Sequence, residues 1–520
     1  GCAPLGAVAA WAARRVPRGL RAQLDRQFYA AGLPHILYPS LANLISGYDS
    51  GVVTFVVMQL SDPGLIGGGL PALGAWELGA VASSRLCGAL GGSLLVLFNR
   101  ADPSARDVLL WSALGMAAVS AAALCPPSRR HLLLLRLLAG ALEGISSPAK
   151  VAYTAETIEA ELRGAATGAR LTAFGVGTAC GVLVGASLMH VPGAWHMMLA
   201  ASALPSLVMA AGMLSLPHSP RWLVGGQGQL AAGSGGRLRA EAALQVLRPR
   251  RVGETLEARA LRVRAALAEL DAAAGVAGAS RGAWPDAGGA ASMGFSLEEF
   301  LRSPGVRIST WALFFKQASG GVAVATFVAP VAVAMGLQDH LAALGVAVLA
   351  ARAVATPAGI LLMDVLGRRG CLLAGTLGTS LSMSSAALAC ALTPLAPAAA
   401  KVAAVAGLVS SVTLFELCLS NASFTLASEV FTQQRRQQGV AWSHVCNYAV
   451  KAVSMQMFPV ALAVGGPLPL WVAFAVMNAA GFVVFFRIVS ETAGRSLEDV
   501  GEELEAAWRA GDKRAAGAGA

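Results

Sequence analysis

The 520-residue chain is 56% apolar and only 13% charged, with a formal net charge of +10 and a mean hydropathy of +0.62. Soluble domains carry about a quarter of their residues as charges, so this composition excludes a water-soluble globular protein of such length and calls for a lipid bilayer around it. The basic excess does not imply a nucleic-acid partner, because the positive residues stand at the ends of apolar segments rather than in one patch.

A helix that crosses the hydrocarbon layer needs about 20 mainly apolar residues. Six such segments lie in the first half, near 37–59, 75–98, 108–125, 131–151, 166–189 and 196–216. Six more follow, near 307–336, 340–363, 370–393, 400–428, 438–463 and 467–489. Between the two sets runs a polar stretch with 12 arginines from Leu216 to Arg307. It opens with Leu-Pro-His-Ser-Pro-Arg-Trp-Leu and closes at Phe295-Ser296-Leu297-Glu298-Glu299-Phe300. Its Ala, Glu and Arg spacing predicts short amphipathic helices with Gly-rich breaks.

The chain therefore divides into an N-terminal arm (1–36), a six-helix bundle (37–216), a helical linker (217–306), a second six-helix bundle (307–489) and a tail (490–520). The fold class expected is an all-α integral membrane protein of twelve helices in two bundles. Composition alone leaves a transporter, a channel and a receptor open.

Charge in the loops predicts orientation. The arm holds Arg14, Arg15, Arg18, Arg21 and Arg26, and connections on the same side carry Arg100, Arg106, Arg163, Arg368, Arg369, Arg435 and Arg436. The opposite connections 61–73 and 190–195 contain no Lys or Arg, although Arg129 and Arg130 in the 126–131 loop break the pattern. The positive-inside rule puts both termini and the linker in the cytosol. The plasma membrane is the expected location, with an organellar membrane as the alternative, since no targeting segment is readable.

The eight cysteines are scattered without a CxxC pair and read as small apolar packing residues. Glycine runs such as Gly67-Gly68-Gly69 lack the Lys-Ser/Thr of a phosphate loop. No zinc-protease or kinase signature is present, so neither enzyme chemistry, a cofactor nor a metal is expected.

Several motifs occur in a fixed order: Gly47-Tyr48-Asp49-Ser50-Gly51; Arg136-Leu-Leu-Ala-Gly140; Tyr153-Thr154-Ala155-Glu156 with Arg163-Gly164; Pro-His-Ser-Pro-Arg-Trp-Leu; Asp364-Val365-Leu366-Gly367-Arg368-Arg369; Ser428-Glu429-Val430-Phe431 with Arg436; and Glu491-Thr492-Ala493-Gly494-Arg495. Singly each is weak. Together, from about residue 37 to residue 500, the set resembles the sugar porter family of the major facilitator superfamily. The resemblance implies transport of a sugar or sugar-like solute by alternating access around one midplane site, with protons as the coupled partner. An organic-anion or sugar-acid transporter on the same scaffold and a non-transporting sugar sensor remain as alternatives.

The residues support this reading. Glu156 and Arg163 are seven residues apart at the ends of the fourth and fifth spans, and Glu429 and Arg436 repeat the spacing in the second half. With Asp364, Arg368 and Arg369 they are the candidates for a cytosolic gate of interhelical ion pairs. The first-half copy of the loop motif is degraded: relatives read Asp-Arg-x-Gly-Arg-Arg, whereas this chain reads Ala101-Asp102-Pro103-Ser104-Ala105-Arg106. Asp49 is a carboxylate inside a span, where an ionisable group faces a cavity and has a partner. Arg136 is the partner expected, and the resemblance makes the pair a protonation switch.

The expected cavity departs from the family. The seventh-span Gln-Gln-x-Ser-Gly-x-Asn reads Lys316-Gln317-Ala318-Ser319-Gly320-Gly321-Val322, and the tenth-span stacking Trp becomes Phe424. The fifth-span Gln falls on Leu171, or on Thr172 one residue later. Glu416 and Asn447 match family positions. Lys316, Arg352 and Lys451 stand where neutral hydrogen-bonding groups meet a hexose, and such a ring favours an anionic ligand. Unless Glu143, Glu416 and Asp49 neutralise it, the ring joins Gln317, Glu416, Phe424 and Asn447 as the substrate-binding set.

Overall fold

The computed structural model describes residues 33–62, 64, 73–98, 103–124, 128–158, 163–224, 234–248, 254–281, 297–337, 341–431, 436–492 and 504. The first five spans are Leu33–Ser61, Ala75–Phe98, Ala105–Ala122, Arg129–Thr157 and Arg163–Leu188. The sixth is built from Trp195–Ala200 and Ala203–Ser215.

The second half is less regular. Its first span, the seventh, breaks into Pro304–Ala318, Gly321–Thr326 and Val328–Ala334, and the last piece is bent by 78°. Leu341–Leu392 runs 52 residues, twice the length of a span, and carries Gly367 at φ 74°, ψ 172°. That backbone is open to glycine and costly for other residues. It separates the eighth and ninth spans where the sequence places the Asp364–Arg369 motif. The tenth span is Pro397–Leu414, a π-helical turn Phe415–Ser420 and Asn421–Glu429. Arg436–Gly465 and Pro467–Ile488 complete the set. With the broken segment taken as one span and the long run as two, the described residues carry six spans before the linker and six after it.

The regular helices hide their polar backbone internally, as a bilayer demands. Large apolar side chains such as Leu95, Leu183, Leu204, Val354 and Leu361 point outward and are exposed, which in water would be untenable and in lipid is the ground state. Lipid tails give helices no hydrophobic drive to associate, so close packing of small residues takes its place. Gly88 and Gly92 of the second span lie against the backbone of Leu137 and Ala141 in the fourth, and Gly140 and Gly144 lie against Arg85 and Ala89 in return. Any side chain at these positions would force the two helices apart.

The first span packs on the fifth and the second on the fourth; the second also meets the eleventh, and the fifth meets the eighth. These last two contacts join the halves. On the side away from the linker, Gln456 Nε2 donates to the Trp76 carbonyl at 3.1 Å and Ser83 Oγ to Gln456 Oε1 at 2.8 Å. Thr54 Oγ1 also donates across the halves to the Ala325 carbonyl at 3.3 Å.

The linker holds helices Pro220–Val224, Ser234–Leu247, Leu256–Arg281 and Leu297–Arg302; the third runs 26 residues, longer than the short helices expected. Ala240, Leu244, Val263, Ala266 and Leu267 form its small apolar core. Arg259 donates to the Gln245 and Arg248 carbonyls at 2.6 and 3.1 Å, satisfying the open end of the preceding helix.

Candidate functional site

The first half carries four charges in one cluster. Asp49 lies in the middle of the first span, and Arg136 and Glu143 lie two turns apart on one face of the fourth. The glycine seam between the second and fourth spans brings in Arg85. Arg136 Nη1 stands 3.4 Å from Asp49 Oδ1, and Arg85 Nη1 is nearer, at 3.2 Å. Arg85 also donates through Nε to Glu143 Oε2 at 2.9 Å, while Arg136 Nε donates to the Val81 carbonyl at 2.6 Å. The expected partner of Asp49 is thus present but shares it, and Arg85 links two carboxylates. Sequence reasoning missed Arg85, although a lone arginine in an apolar run is itself the signal.

The second half has its own network. Gln317 Nε2 donates to Asn447 Oδ1 at 2.6 Å. Just beyond, Gly320 takes φ 83°, the left-handed backbone that interrupts the seventh span, and Asn478 Nδ2 donates to the Ser319 carbonyl at 3.0 Å. Lys316 Nζ sits 3.5 Å above the centre of the Phe424 ring, a cation–π contact. Phe424 in turn lies 6.1 Å from the His444 ring, which stacks on Tyr448 at 6.0 Å. The Tyr448 and Ser147 hydroxyls bridge the halves at 3.3 Å.

Arg352 Nε meets Glu416 Oε1 at 2.5 Å. The π-helical turn inserts one residue into the tenth span and holds Glu416 in it, while Asn421 Nδ2 donates to the Thr356 carbonyl at 2.8 Å. The expected ring of three cations is therefore altered: Arg352 has a carboxylate of its own. Lys316 and Lys451 have no carboxylate within 4.0 Å among the described residues.

A central cleft lies between the halves. Asp49, Arg85, Arg136, Glu143 and Lys451 line it, with Phe174, Val322 and Met455 supplying apolar wall. Of the seven substrate-binding candidates only Lys451 is on this wall. Lys316, Gln317, Arg352, Glu416 and Asn447 are buried behind it and Phe424 is half-buried. Of the two fifth-span alternatives, Leu171 is half-buried and Thr172 is exposed.

Of the gate candidates, Arg368 and Glu429 of the second half meet at the linker side. Arg368 Nη2 meets Glu429 Oε1 at 3.0 Å, and Thr492 Oγ1 donates to Glu429 Oε2 at 2.7 Å. Glu491 accepts the backbone N–H groups of Arg368 and Arg369 at 2.8 and 3.1 Å. Arg369 Nη2 donates to the Phe486 carbonyl at 3.0 Å and its guanidinium faces the Phe486 ring. Asp364 is exposed and Glu156 is half-buried at its helix end. Arg163 and Arg436 begin the fifth and eleventh spans, and their side chains, like Asp102, lie outside the described residues. In the first half Arg106 donates to the carbonyls of Met213, Leu214 and Leu216, and the Tyr153 hydroxyl donates to the Pro217 carbonyl at 2.9 Å. The two halves differ here: Arg368 holds a carboxylate on another span, whereas Arg106 pairs with its neighbour Asp107 at 2.9 Å and holds the end of the sixth span.

The family model described as "Sugar (and other) transporter" matches residues 36–504. The chain is 27% identical to D-xylose-proton symporter-like 1 of Arabidopsis thaliana over 90% of each protein. It is 25% identical to the major myo-inositol transporter IolT of Bacillus subtilis (strain 168), covering 93% of this chain and 96% of that one. It is 30% identical to the probable polyol transporter 6 of Arabidopsis thaliana, covering 74% and 77%. Among solved structures, it superposes on the major facilitator superfamily proton:xylose symporter XylE bound to 6-bromo-6-deoxy-D-glucose with a TM-score of 0.67 at 21% identity, covering 92% of this chain and 98% of that one. The inward-open xylose transporter XylE from E. coli gives a TM-score of 0.65 at 20% identity, covering 89% and 98%. The chain has the major facilitator fold and belongs to the sugar (and other) transporter family as a multi-pass integral membrane transporter.

Proposed function

We propose that the chain carries a polyhydroxylated, sugar-like solute together with protons by alternating access of its two six-span halves. One observation carries the coupling: the Asp49 carboxylate stands on the wall of the cleft between the halves, 3.2 Å from Arg85 and 3.4 Å from Arg136. A proton taken up by Asp49 cancels the charge that holds both guanidiniums, freeing the first, second and fourth spans to shift relative to one another. The names of the relatives, proton symporters and polyol carriers among them, agree with this reading.

Glu156, Arg163, Asp364, Arg368, Arg369, Glu429 and Arg436 serve in this scheme as the gate on the linker side. The arginines of the linker and its neighbouring loops support a cytosolic position for that side and for both termini. The plasma membrane is the proposed site, with an organellar membrane as the alternative.

The test is uptake by purified protein in liposomes, with and without an inside-alkaline pH gradient, using labelled xylose, inositol and sugar acids. Accumulation above the equilibrium level that collapses with the gradient is expected. Uptake that equilibrates identically with and without the gradient removes the coupling.

A further inference from the structure

The three carboxylates of the central region already have cationic partners. Asp49 is shared by Arg85 and Arg136, Glu143 is held by Arg85, and Glu416 is held by Arg352. Four further cations have no carboxylate within 4.0 Å among the described residues: Lys150 of the fourth span, Arg170 of the fifth, Lys316 of the seventh and Lys451 of the eleventh. Lys150 is 8% exposed and Lys316 3%. Arg170 Nε and His444 Nδ1 are buried with no hydrogen-bond partner among the described residues. Among the described residues, the charged groups that face His444 include Lys150, Lys316, Arg170 and Glu143. Lys451 projects into the cleft, where its charged neighbours are Arg352, Glu143, Asp49 and Glu416.

A buried cation without a carboxylate beside it is costly; Lys150 and Lys316 are buried and Arg170 and Lys451 half-buried, and these like charges from two halves repel one another. Hydroxyl groups cannot offset that, because they bring no charge. An anion can, and it does so best when the halves close on it, which ties ligand charge to the conformational change. We propose that the solute is an anionic sugar, a polyhydroxylated body bearing a carboxylate or phosphate, whose charged end is met by Lys451 on the cleft wall and is favoured by the positive charge of Lys150, Arg170 and Lys316, which lie outside that wall.

This inference rests on the transport reading above, and the experiment separates the two. Binding of D-glucuronate, D-glucose 6-phosphate and D-glucose to the purified full chain is measured by calorimetry, and uptake of each is measured in liposomes. One of the two anions binds at least about tenfold more tightly than glucose, and which one tells carboxylate from phosphate. Lys316→Gln and Lys451→Gln each weaken that anion about tenfold more than they weaken glucose, while Lys451→Arg restores it. Glucose binding more tightly than both anions overturns the inference, as does an equal loss for neutral and charged ligands in the Gln variants. Gradient-driven glucose uptake without anion binding overturns the inference and leaves the transport reading standing. Anion binding without uptake of any solute does the reverse.

Discussion

The Arg352–Glu416 pair gives the most quantitative test of how the second half is held together. Both side chains are almost wholly enclosed, at 4% and 3% exposure, with Nε and Oε1 2.5 Å apart. With charge centres about 4 Å apart and an effective dielectric of about 20, their attraction is about 4 kcal/mol. Glu416→Gln keeps the volume and one acceptor but leaves the guanidinium unmatched beside Lys316 and Lys451. Breaking one side of such a pair costs about 3–5 kcal/mol, and replacing both sides with apolar groups of similar size is close to neutral. Glu416→Gln and Arg352→Met should therefore each destabilise strongly, whereas the double variant Arg352→Met/Glu416→Leu should fall within about 1 kcal/mol of the parent. Reversible unfolding in mixed micelles by a denaturing detergent reads all three. A coupling energy below about 0.5 kcal/mol would refute the reasoning and mean that the π-helical turn, rather than the charge pair, fixes this region.

Three other perturbations probe separate parts of the account. Gly140→Val places two methyl groups against the Arg85 backbone, so the second and fourth spans must separate; a melting-temperature loss in detergent larger than that of Gly91→Val, where the space is open, is expected. Glu429→Gln weakens the acceptor of both Arg368 and Thr492; net uptake should slow while ligand affinity in detergent holds, and an unchanged uptake rate would exclude a gating role. His218 lies between the sixth span and the linker, in contact with Ser104 Oγ at 2.9 Å and stacked on Trp222. Burial pushes its imidazole pKa down from the ordinary value, outweighing Asp107. The unfolded chain thus binds a proton at about pH 6.5 before the folded one, and stability falls as the pH drops below that value. His218→Gln should flatten that part of the melting-temperature profile, and an identical profile would sink the assignment.

Much of this architecture is legible in the sequence because lipid imposes length and apolarity on every span. The twelve segments and the division at Asp364–Arg369 follow from that constraint and from glycine punctuation. The π-helical turn at Phe415–Ser420 is not legible: it arises from how Glu416 and Asn421 bond to the eighth span, and its residues look like an ordinary helix. The break after Lys316–Gln317 is only hinted at by Gly320-Gly321. In the site, Asp49, Arg136, Lys316, Arg352 and Lys451 are readable as charges in apolar runs. Arg85, Lys150 and Arg170 are equally readable by that criterion, but they lie outside the recurring motifs. What the sequence cannot supply is the pairing: Arg352 with Glu416 and Arg85 with two carboxylates depend on which helices touch. That pairing separates the matched cations from the unmatched ones.

The central claim is that the charge on Asp49 couples proton movement to the solute. The direct measurement is solute-induced proton uptake into liposomes containing the purified chain, followed with an external pH indicator, for the parent and for Asp49→Asn. Alkalinisation outside on addition of the transported solute, absent in Asp49→Asn although the variant still exchanges solute across the membrane, is the predicted result. Equal alkalinisation by parent and variant, or solute entry in the parent without any proton movement, would contradict the account.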